Sequence, residues 1–484
     1  MFNVMKMTVV LFLFLLTACG GGGDSGAAAT SSEGGLTTPD YEDSPFGFHP
    51  ALVAKAFYSD SGYIDAQNIG VRWNRPSKYA FWFKVQPDIN DPAYTWDEYD
   101  ILYGNVPEGI NILANIATEP GREDCGYEIT DSYLPVDEDK YTAFVKATVE
   151  RYDGDGIGEE DFNGGVFPNP IKYWQVDNEP DALTKTGYAE LQRITYMAIK
   201  EACPDCQVLI GGATGFPQNF ANNFAVYAQQ ILSDLNGQYV DIFDFHWYGS
   251  ADGDYRKSKA AYDLVRSQLN EYNFWNIPVW ITEMGSYSGD PVDMPGILQP
   301  YQSERQQAGD YLKRFVYPLS FGVKKIFPAF GLMEGFKQNN GYFDHTGLIY
   351  DGAFSDDLGL GIKKLGYYSY KLMTEKLEGS DWDNIQVIQE LGNVYIYKFL
   401  KGGESVYVAW WDYFDDTGVS KTITFNVDFT GDALITTAVP NADSGADLNE
   451  NDYPDFFKTE TKTVSGVQVT ITLDENPVFV EAAQ

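Results

Sequence analysis

Apolar and polar residues alternate in blocks along most of the chain. From residue 46 to about residue 376, short apolar runs are followed by loops and then by segments with apolar residues at helical spacing, such as KYTAFVKATVERY at 140–152. The apolar runs predict strands at 46–49, 70–75, 110–118, 171–178, 208–213, 240–248, 278–283 and 324–331. The other segments predict helices at 140–152, 188–202, 220–235, 257–272, 303–317 and 362–377.

Eight strands that alternate with helices predict an α/β fold, a (β/α)8 TIM barrel over 45–378. A doubly wound open sheet is the alternative. We favour the barrel because no glycine-rich phosphate loop follows any of the predicted strands.

The pattern changes after residue 379. Runs at 385–391, 394–400, 405–411, 422–427, 433–439 and 468–473 alternate apolar and polar residues between turns, and helical spacing is absent from them. We therefore predict a C-terminal antiparallel β-sandwich over 379–484. Its sequence does not indicate a function, and we expect it to pack against the barrel.

The first residues are typical of an export signal. Lys6 is the only early charge, and the apolar run 9–16 is too short to span a bilayer. The sequence LTAC at 16–19 resembles the lipobox of bacterial lipoproteins, which implies a signal peptide over 1–19 and lipidation of Cys19. An ordinary secretory signal is the alternative. Residues 20–44, rich in small residues, predict a flexible tether. The protein is thus expected at the cell envelope, lipid-anchored to the outer membrane or cell surface.

Composition narrows the choice of partners. Apolar residues make up 44% of the chain and aromatic residues 15%, which argues against disorder. The formal charge is −37, from 70 acidic and 33 basic residues. Such a charge excludes nucleic acid as an expected partner and leaves the lipid anchor as the only expected membrane contact. The aromatic excess fits an aromatic core and sugar stacking equally well.

The remaining cysteines and one acidic run raise the question of disulfides and metals. Cys203 and Cys206 are spaced to close a small disulfide in an oxidising compartment, and Cys125 is left over. Zinc is disfavoured because the chain has only three histidines and no second C-x-x-C. The run 153–161 departs from the EF-hand pattern, so a solvated acidic loop is preferred over structural calcium. No cofactor is predicted to be required.

Two of the predicted strands end in a glutamate. KYWQVDNEP at 172–180 places Glu179 after the fourth strand, and IPVWITEMG at 277–285 places Glu283 at the end of the seventh. A carboxylate at the end of a buried strand is costly unless it is hydrogen-bonded or used in chemistry. The carboxyl ends of barrel strands meet at the face where active sites form, so two glutamates there suit a two-carboxylate glycosidase.

These motifs resemble clan A of the glycoside hydrolases, the retaining (β/α)8 enzymes, with family 39 and family 5 enzymes the most similar in pattern. Asn178-Glu179-Pro180 resembles the clan's strand-four Asn-Glu, and Thr282-Glu283 resembles its strand-seven glutamate. The resemblance implies that Glu179 is the general acid/base, that Glu283 is the nucleophile and that Asn178 holds a substrate hydroxyl. We expect burial or the second carboxylate to raise the pKa of Glu179, and Arg75 with a tyrosine hydroxyl to keep Glu283 ionised.

The resemblance extends to other strand ends. His246 and Tyr248 match the clan's sixth-strand positions, which implies contacts with Glu283 and the substrate, and Arg75 matches an arginine near the nucleophile. Many clan members end strand eight with a tryptophan that this chain lacks, and we expect Phe330 in its place. Position at a strand end adds the remaining expected substrate contacts: Trp73, Trp247 and His49.

Together these features predict a retaining glycoside hydrolase that cleaves β-glycosidic bonds of a poly- or oligosaccharide through a covalent glycosyl-enzyme. The alternative is a catalytically inactive, carbohydrate-binding surface lipoprotein on the same barrel. The presence of both glutamates favours the enzyme. A carbohydrate is the expected partner under either hypothesis.

Overall fold

A computed structural model of the chain describes residues 41–118, 132–181, 183–355, 357–412 and 419–483. The predicted signal peptide, the lipobox cysteine Cys19, most of the predicted tether and Cys125 lie outside these residues. Among the helices that are described, none is both long enough and apolar enough to cross a bilayer.

A closed ring of parallel strands forms the first part of the fold. Its strands are β1 Gly47–Phe48, β2 Trp73–Asn74, β3 Ala80–Phe81, β4 Asn111–Ala117, β5 Tyr173–Val176, β6 Gln207–Leu209, β7 Phe243–Trp247, β8 Val279–Met284 and β9 Val323–Pro328. Two sheets, β1-β2-β4-β5-β6 and β7-β8-β9, are joined by bridges from Leu209 to Ile242 and from Phe46 to Ile326. Short β3 pairs with β4 beyond the end of β2. Because the ring closes, the (β/α)8 barrel prediction is confirmed and the open sheet is wrong.

Helices follow the strands and cover the barrel. They are α1 Ile64–Asn68, α2 Trp82–Val85, α3 Asp97–Gly104, α4 Glu138–Tyr152, α5 Tyr188–Ala202, α6 Phe220–Tyr227, α7 Ser233–Leu235, α8 Asp254–Glu271, α9 Glu304–Ser320 and α10 Leu365–Leu377. A π-turn at Ala228–Leu232 joins α6 to α7. Side chains cap the starts of two helices: Asp137 accepts from the backbone N–H of Lys140, and Ser303 forms a capping box with Gln306.

The barrel interior is built in two layers. A lower layer is apolar and fully buried, and it consists of Trp73, Leu113, Leu209, Ile242, Trp280 and Phe327. Side chains two residues apart on a strand point to the same side, so the next inward position along each strand lies directly above this layer. Several of those positions are polar: Arg75, Asn115, Asp244 and Thr282. The apolar layer therefore supports a buried polar layer at the carboxyl ends of the strands.

The C-terminal part is antiparallel, which confirms the predicted β-sandwich. Its strands are β10 Gln386–Leu391, β11 Val394–Lys401, β12 Glu404–Trp411, β13 Lys421–Asn426, β14 Asp432–Thr437, β15 Thr459–Thr463, β16 Gln468–Leu473 and β17 Val478–Ala482. Six of them form a sheet in the order β10-β11-β12-β17-β14-β15, and β13 pairs with β16 in a second layer.

Both faces of the larger sheet are buried. Ile396 and Ala409 face the β13–β16 layer, whereas their neighbours Tyr397 and Trp410 belong to the core shared with the barrel. At this contact the indole N–H of Trp410 donates to the hydroxyl of Tyr255, 2.8 Å away. The alternation of side chains along β11 and β12 thus joins sandwich and barrel in one packed unit.

Residues 41–44 correct the predicted extent of the tether. The guanidinium of Arg72 lies 3.6 Å from the ring centre of Tyr41, and Ser44 is buried. The ammonium of Lys325, buried beside Trp73, donates to the backbone carbonyl of Ser44 at 3.2 Å. These contacts fix the segment against the barrel, so a tether that extends to residue 44 is wrong for its last residues.

The disulfide and the acidic loop have clear structural roles. Cys203 and Cys206 form a disulfide between α5 and β6. In the loop 153–161, the buried carboxylate of Glu159 accepts from the backbone N–H groups of Gly154 at 2.6 Å and Gly156 at 3.0 Å. Backbone donors therefore organise this loop, and the preference for a solvated acidic loop over structural calcium stays a prediction.

The contact between barrel and sandwich yields a stability prediction. Asp412 is fully buried and accepts from the Tyr255 hydroxyl and, at 2.9 Å, from the Lys313 ammonium. We expect Asp412→Ala to lower the free energy of unfolding by about 3 kcal/mol, because it removes the acceptor from a buried ion pair. Urea unfolding measures the change. Asp383→Ala, which breaks an exposed pair with Lys324, is the control and should cost less than about 1 kcal/mol. Equal losses in the two variants would contradict the account.

Candidate active site

Glu179 lies just beyond β5 on a strained turn. Asp177 and Glu179 both have backbone φ angles in the left-handed region, +60° and +45°, which side-chain-bearing residues adopt at an energetic cost. The turn is held by the N–H of Asp177, which donates to the carbonyl of Ile116 at 2.9 Å. It is held also by the N–H of Asn178, which donates to the Asp177 carboxylate at 2.7 Å. The turn directs a quarter-exposed Glu179 side chain into the barrel mouth.

Glu283 lies within β8 and is 1% exposed. Its Oε1 accepts from Arg75 at 2.7 Å and its Oε2 accepts from the hydroxyl of Tyr248. One ligating atom each from Glu179, Glu283 and His246 lie within 4.8 Å of one another. The two glutamates that the sequence singles out are therefore neighbours, one partly open to solvent and one enclosed.

The guanidinium of Arg75 connects the two strand-end motifs. It is fully buried and donates three hydrogen bonds, to Glu283 at 2.7 Å, to Asn178 Oδ1 at 2.6 Å and to Gln175 Oε1 at 2.8 Å. Because its planar donors have fixed directions, the orientations of all three acceptors are fixed with it. Asn178 consequently uses its oxygen for Arg75, and its amide N–H groups are the donors left for other partners.

His246 lies between the glutamates. Its Nδ1 is 2.6 Å from Glu179 Oε1 and 3.4 Å from Glu283 Oε2, and its Nε2 is 3.1 Å from the hydroxyl of Thr282. Burial lowers the pKa of His246, but the negative charge of Glu283, the nearby carboxylate of Asp244 and the hydrogen bond to Glu179 outweigh burial and raise that pKa to about 10. The ring is thus a proton carrier next to Glu179.

This arrangement corrects the expected pKa of Glu179. Burial raises the pKa of Glu179, yet the hydrogen bond and the positive charge of His246 dominate and bring it below its ordinary value. The expectation of a raised pKa is wrong for this state of the site, because the shared proton resides on the imidazole side of the pair. Sequence reasoning placed His246 at the site but assigned it no proton.

His49 also reaches Glu283. Its Nδ1 lies 2.7 Å from the carbonyl of Arg75, which can only accept, so Nδ1 carries the proton. Burial and the charge of Arg75 lower the pKa of His49 to about 3, so the ring is neutral. Its Nε2 is then an acceptor, 3.6 Å from Glu283 Oε1.

Phe330 flanks the site but does not offer both ring faces. Its ring is stacked on that of Phe336, with centroids 4.2 Å apart and planes 9° apart, and its edge meets Phe343. The ring centre of Tyr248 is 6.4 Å away. Phe336 therefore covers one face of Phe330, and the ring of His49, with its centre 5.2 Å away, also lies close, so this half-buried residue offers only part of its ring to a sugar.

Two of the expected contact residues lie away from the mouth. Trp247 is 3% exposed, donates to the carbonyl of Asp254 at 3.2 Å and packs on Phe220. It faces the helices because its strand neighbours His246 and Tyr248 face the interior. Trp73 is fully buried in the apolar layer, two positions below Arg75. Neither tryptophan reaches the carboxylates, so both expectations are wrong.

A set of polar residues that the strand-end motifs do not predict lies beneath the glutamates. Asn115, Gln175, Asp244 and Thr282 are fully buried and hydrogen-bonded to one another or to Arg75. A signal for them exists: each interrupts an otherwise apolar strand. Asp244 in particular precedes His246 by two residues and so shares its inward face.

Among the described residues, Glu179, His246 and Glu283 form one group that could hold a metal ion, and the disulfide region with Asp205 forms the other. The first group suits a metal poorly. The guanidinium of Arg75 already contacts Glu283, and both nitrogens of His246 face hydrogen-bond acceptors, whereas a metal ligand needs a free nitrogen lone pair.

Comparison with known proteins shows that the chain is similar in fold to several solved structures. No protein-family model and no curated protein matches the chain. A family 39 glycoside hydrolase from the gut symbiont Bacteroides cellulosilyticus WH2 has a TM-score of 0.58 at 15% identity, covering 87% of this chain and 77% of that one. A glucosidase from Croceicoccus marinus has a TM-score of 0.58 at 15% identity, covering 91% and 98%.

An α-L-arabinofuranosidase from Thermotoga maritima has a TM-score of 0.58 at 12% identity, covering 90% of this chain and 96% of that chain. Identities this low establish a shared fold. That fold is the one found in glycoside hydrolases, the group that the strand-end motifs resemble.

The Arg75–Glu283 contact yields a second stability prediction. We expect Arg75→Met to lower the free energy of unfolding by about 3–5 kcal/mol, since it leaves a buried carboxylate without its cation. Adding Glu283→Gln to that variant should restore part of the loss, because no uncompensated charge then remains at this position. A double-mutant cycle by chemical denaturation measures the coupling. Additive losses in the double variant would contradict a direct charge interaction.

Proposed function

We propose that the chain is a retaining glycoside hydrolase that cleaves β-glycosidic bonds of a poly- or oligosaccharide, with Glu283 as nucleophile and Glu179 as general acid/base. The observation that carries this proposal is the approach of the two carboxyl groups, whose ligating oxygens lie within 4.8 Å. Retaining enzymes hold these groups about 5–5.5 Å apart, whereas inverting enzymes leave about 6.5–9.5 Å for a water molecule.

In the first step an oxygen of Glu283 attacks the anomeric carbon and the bond to the leaving oxygen breaks, which gives a covalent glycosyl-enzyme. The hydrogen bonds from Arg75 and Tyr248 hold this carboxylate in place and orient its oxygens before attack. The leaving oxygen takes a proton from Glu179. These contacts support the nucleophile role for Glu283, the more enclosed of the two glutamates.

The proton for the leaving oxygen has a nearby source. The charge of Glu283 lies 3.4 Å from His246 Nδ1 and helps this imidazole keep its proton. As Glu283 loses its charge during the first step, that stabilisation weakens, and the proton passes from His246 through Glu179, 2.6 Å away, to the leaving oxygen, which leaves Glu179 ionised for the second step. In the second step Glu179 accepts a proton from water, the water oxygen attacks the anomeric carbon, and Glu283 is released.

Expected substrate contacts follow from donors and acceptors that have no other partner within the part of the chain that the structure describes. The amide N–H groups of Asn178 are suited to a sugar hydroxyl oxygen, because its Oδ1 is engaged by Arg75. His49 Nε2 offers an acceptor beside Glu283. The exposed part of the Phe330 ring offers an apolar surface for a sugar ring. The chain supplies these groups itself, and the proposed reaction requires no cofactor.

We favour catalysis over the binding-only alternative because the buried charged groups are oriented as the proposed reaction requires. A binding surface gains nothing from a fully enclosed carboxylate paired with Arg75, whereas a nucleophile needs that enclosure. Export and lipid attachment at Cys19 complete the proposal and would keep the enzyme at the cell envelope, where polysaccharide is available.

Glu283→Gln tests the nucleophile. We expect turnover of an activated aryl glycoside to fall by at least about 10⁴-fold, because the amide cannot form the glycosyl-enzyme. The measurement is release of the aryl group, with circular dichroism to verify the fold. Glu190→Gln, an exposed change on α5, is the matched control and should retain full activity. Retention of activity in the Glu283 variant would exclude the assignment.

Glu179→Ala tests the acid/base role. Substrates with good leaving groups need no protonation. We therefore expect the activity of the variant on these substrates to fall far less than its activity on natural oligosaccharides. Azide should restore part of the rate by replacing water at the second step, giving a glycosyl azide of the same anomeric configuration as the substrate. Product analysis by NMR identifies it. An equal loss on all substrates, with no azide adduct, would contradict the role.

A further inference from the structure

A buried carboxylate that the proposed mechanism does not use lies behind His246. Asp244 is fully buried on β7, two residues before His246, and faces the barrel interior. Its Oδ2 accepts from the Gln175 amide at 2.9 Å and from the Thr282 hydroxyl. The same oxygen is 3.6 Å from His246 Nε2. Asp244 is therefore close enough to act on the imidazole, although it touches neither glutamate.

The direction of each hydrogen bond in this group can be derived from Arg75. Arginine only donates, so the Gln175 oxygen accepts from Arg75 Nε at 2.8 Å and the Gln175 nitrogen must point at Asp244. Asp244 Oδ2 is thus an acceptor, and the Thr282 hydroxyl donates its only proton to this oxygen. The Thr282 oxygen then presents a lone pair to His246.

It follows that both ring nitrogens of His246 face acceptors. Nε2 lies 3.1 Å from the Thr282 oxygen, and Nδ1 lies 2.6 Å from the carboxylate of Glu179. A neutral imidazole satisfies only one of these acceptors with an N–H group, whereas the imidazolium satisfies both.

We propose that Asp244, acting through Thr282, is a positioning residue that holds His246 as an imidazolium and thereby makes the His246–Glu179 pair the proton store of the site. Whether His246 is protonated in the free protein does not depend on which reaction the protein catalyses. The use of the stored proton in glycoside cleavage rests on the proposed function.

The shape of the barrel supports this role. Gly212 follows β6 and lies against the pair: a Cβ there would be 2.5 Å from Asp244 Oδ2 and 2.7 Å from His246 Nε2. Any side chain would push the carboxylate and the imidazole apart. The glycine leaves the space in which the two groups approach one another.

Other charged groups also act on His246, from the opposite side of its ring. Glu179 and Glu283 face Nδ1 and favour the imidazolium, whereas Arg75 and the neutral His49 lie on the far side of Glu283. His246 has a pKa raised to about 10, so the pair keeps its proton below that pH and loses it above. Removal of the negative charge of Asp244 should therefore shift the loss of the proton to lower pH.

The first test reads the protonation of His246 without any substrate. The chain has only three histidines, so ¹⁵N-histidine labelling of the full chain gives a spectrum that can be assigned with single variants. In the wild type we expect both nitrogens of His246 to remain protonated well above the ordinary histidine pKa of about 6.5, while His49 is neutral. A neutral His246 near pH 7 would overturn the proposal.

Asp244→Asn removes the charge and keeps the shape. We expect the His246 titration to move down by about 1–3 pH units, the shift that a neighbouring charge produces. Asp241→Asn is the matched control, because Asp241 precedes the same strand but binds Lys200 and the N–H of Val208 at the opposite end of the barrel. A titration as little changed as in the control would overturn the role of Asp244. If the Asp244 variant does not fold, Thr282→Val interrupts the same path and must give the same direction of shift.

Kinetics then separate this inference from the proposed function. In Asp244→Asn the alkaline limb of the pH profile of kcat/KM should move to lower pH by as many pH units as the NMR titration of His246. The acid limb should change little. A shifted titration in a protein that turns over no glycoside would reject the proposed function and leave the Asp244 inference standing. A shifted titration with an unmoved alkaline limb would reject the proton store.

Discussion

The buried guanidinium of Arg75 determines the arrangement of the barrel mouth. It lies at the end of β2 and binds Gln175 on β5, Asn178 just beyond β5 and Glu283 on β8, so that one rigid cation orients all three. A buried carboxylate is tolerable only with such a partner, and a buried arginine only with such acceptors. The apolar layer headed by Trp73 and Trp280 excludes water from below. Each of these features would be unstable without the others.

A chain of hydrogen bonds that begins at Arg75 sets the donors and acceptors of the site one after another. Arg75 fixes the amide of Gln175, that amide fixes Asp244 as an acceptor, and the polar chain ends at His246 beside Glu179. The imidazole and the Glu179 carboxylate in contact with it then share one proton, and the position of that proton decides the role of Glu179. The site thus consists of interacting charged and polar side chains that strands on opposite sides of the ring contribute. Its function depends on the barrel being closed.

The sequence predicts the fold and the two glutamates well, for physical reasons. Strand and helix periodicity over eight repeats leaves few topologies, and a carboxylate such as Glu179 or Glu283 at the end of an apolar strand is expensive enough to be noticed. Side-chain direction was harder to predict, and Trp247 shows why. A shift of one residue moves a side chain from the interior to the helices, so strand-end position alone did not separate Trp247 from His246. The proton on His246 was not predictable, because it depends on Asp244 and Thr282 from two different strands.

The central claim is that Glu283 and Glu179 work as a retaining pair. The stereochemistry of the first product tests it most directly, since it reports whether the sugar passes through one displacement or two. Proton NMR of a reaction at high enzyme concentration records the anomer that forms before mutarotation. The account predicts that the first anomer has the configuration of the substrate. Initial appearance of the opposite anomer would contradict it.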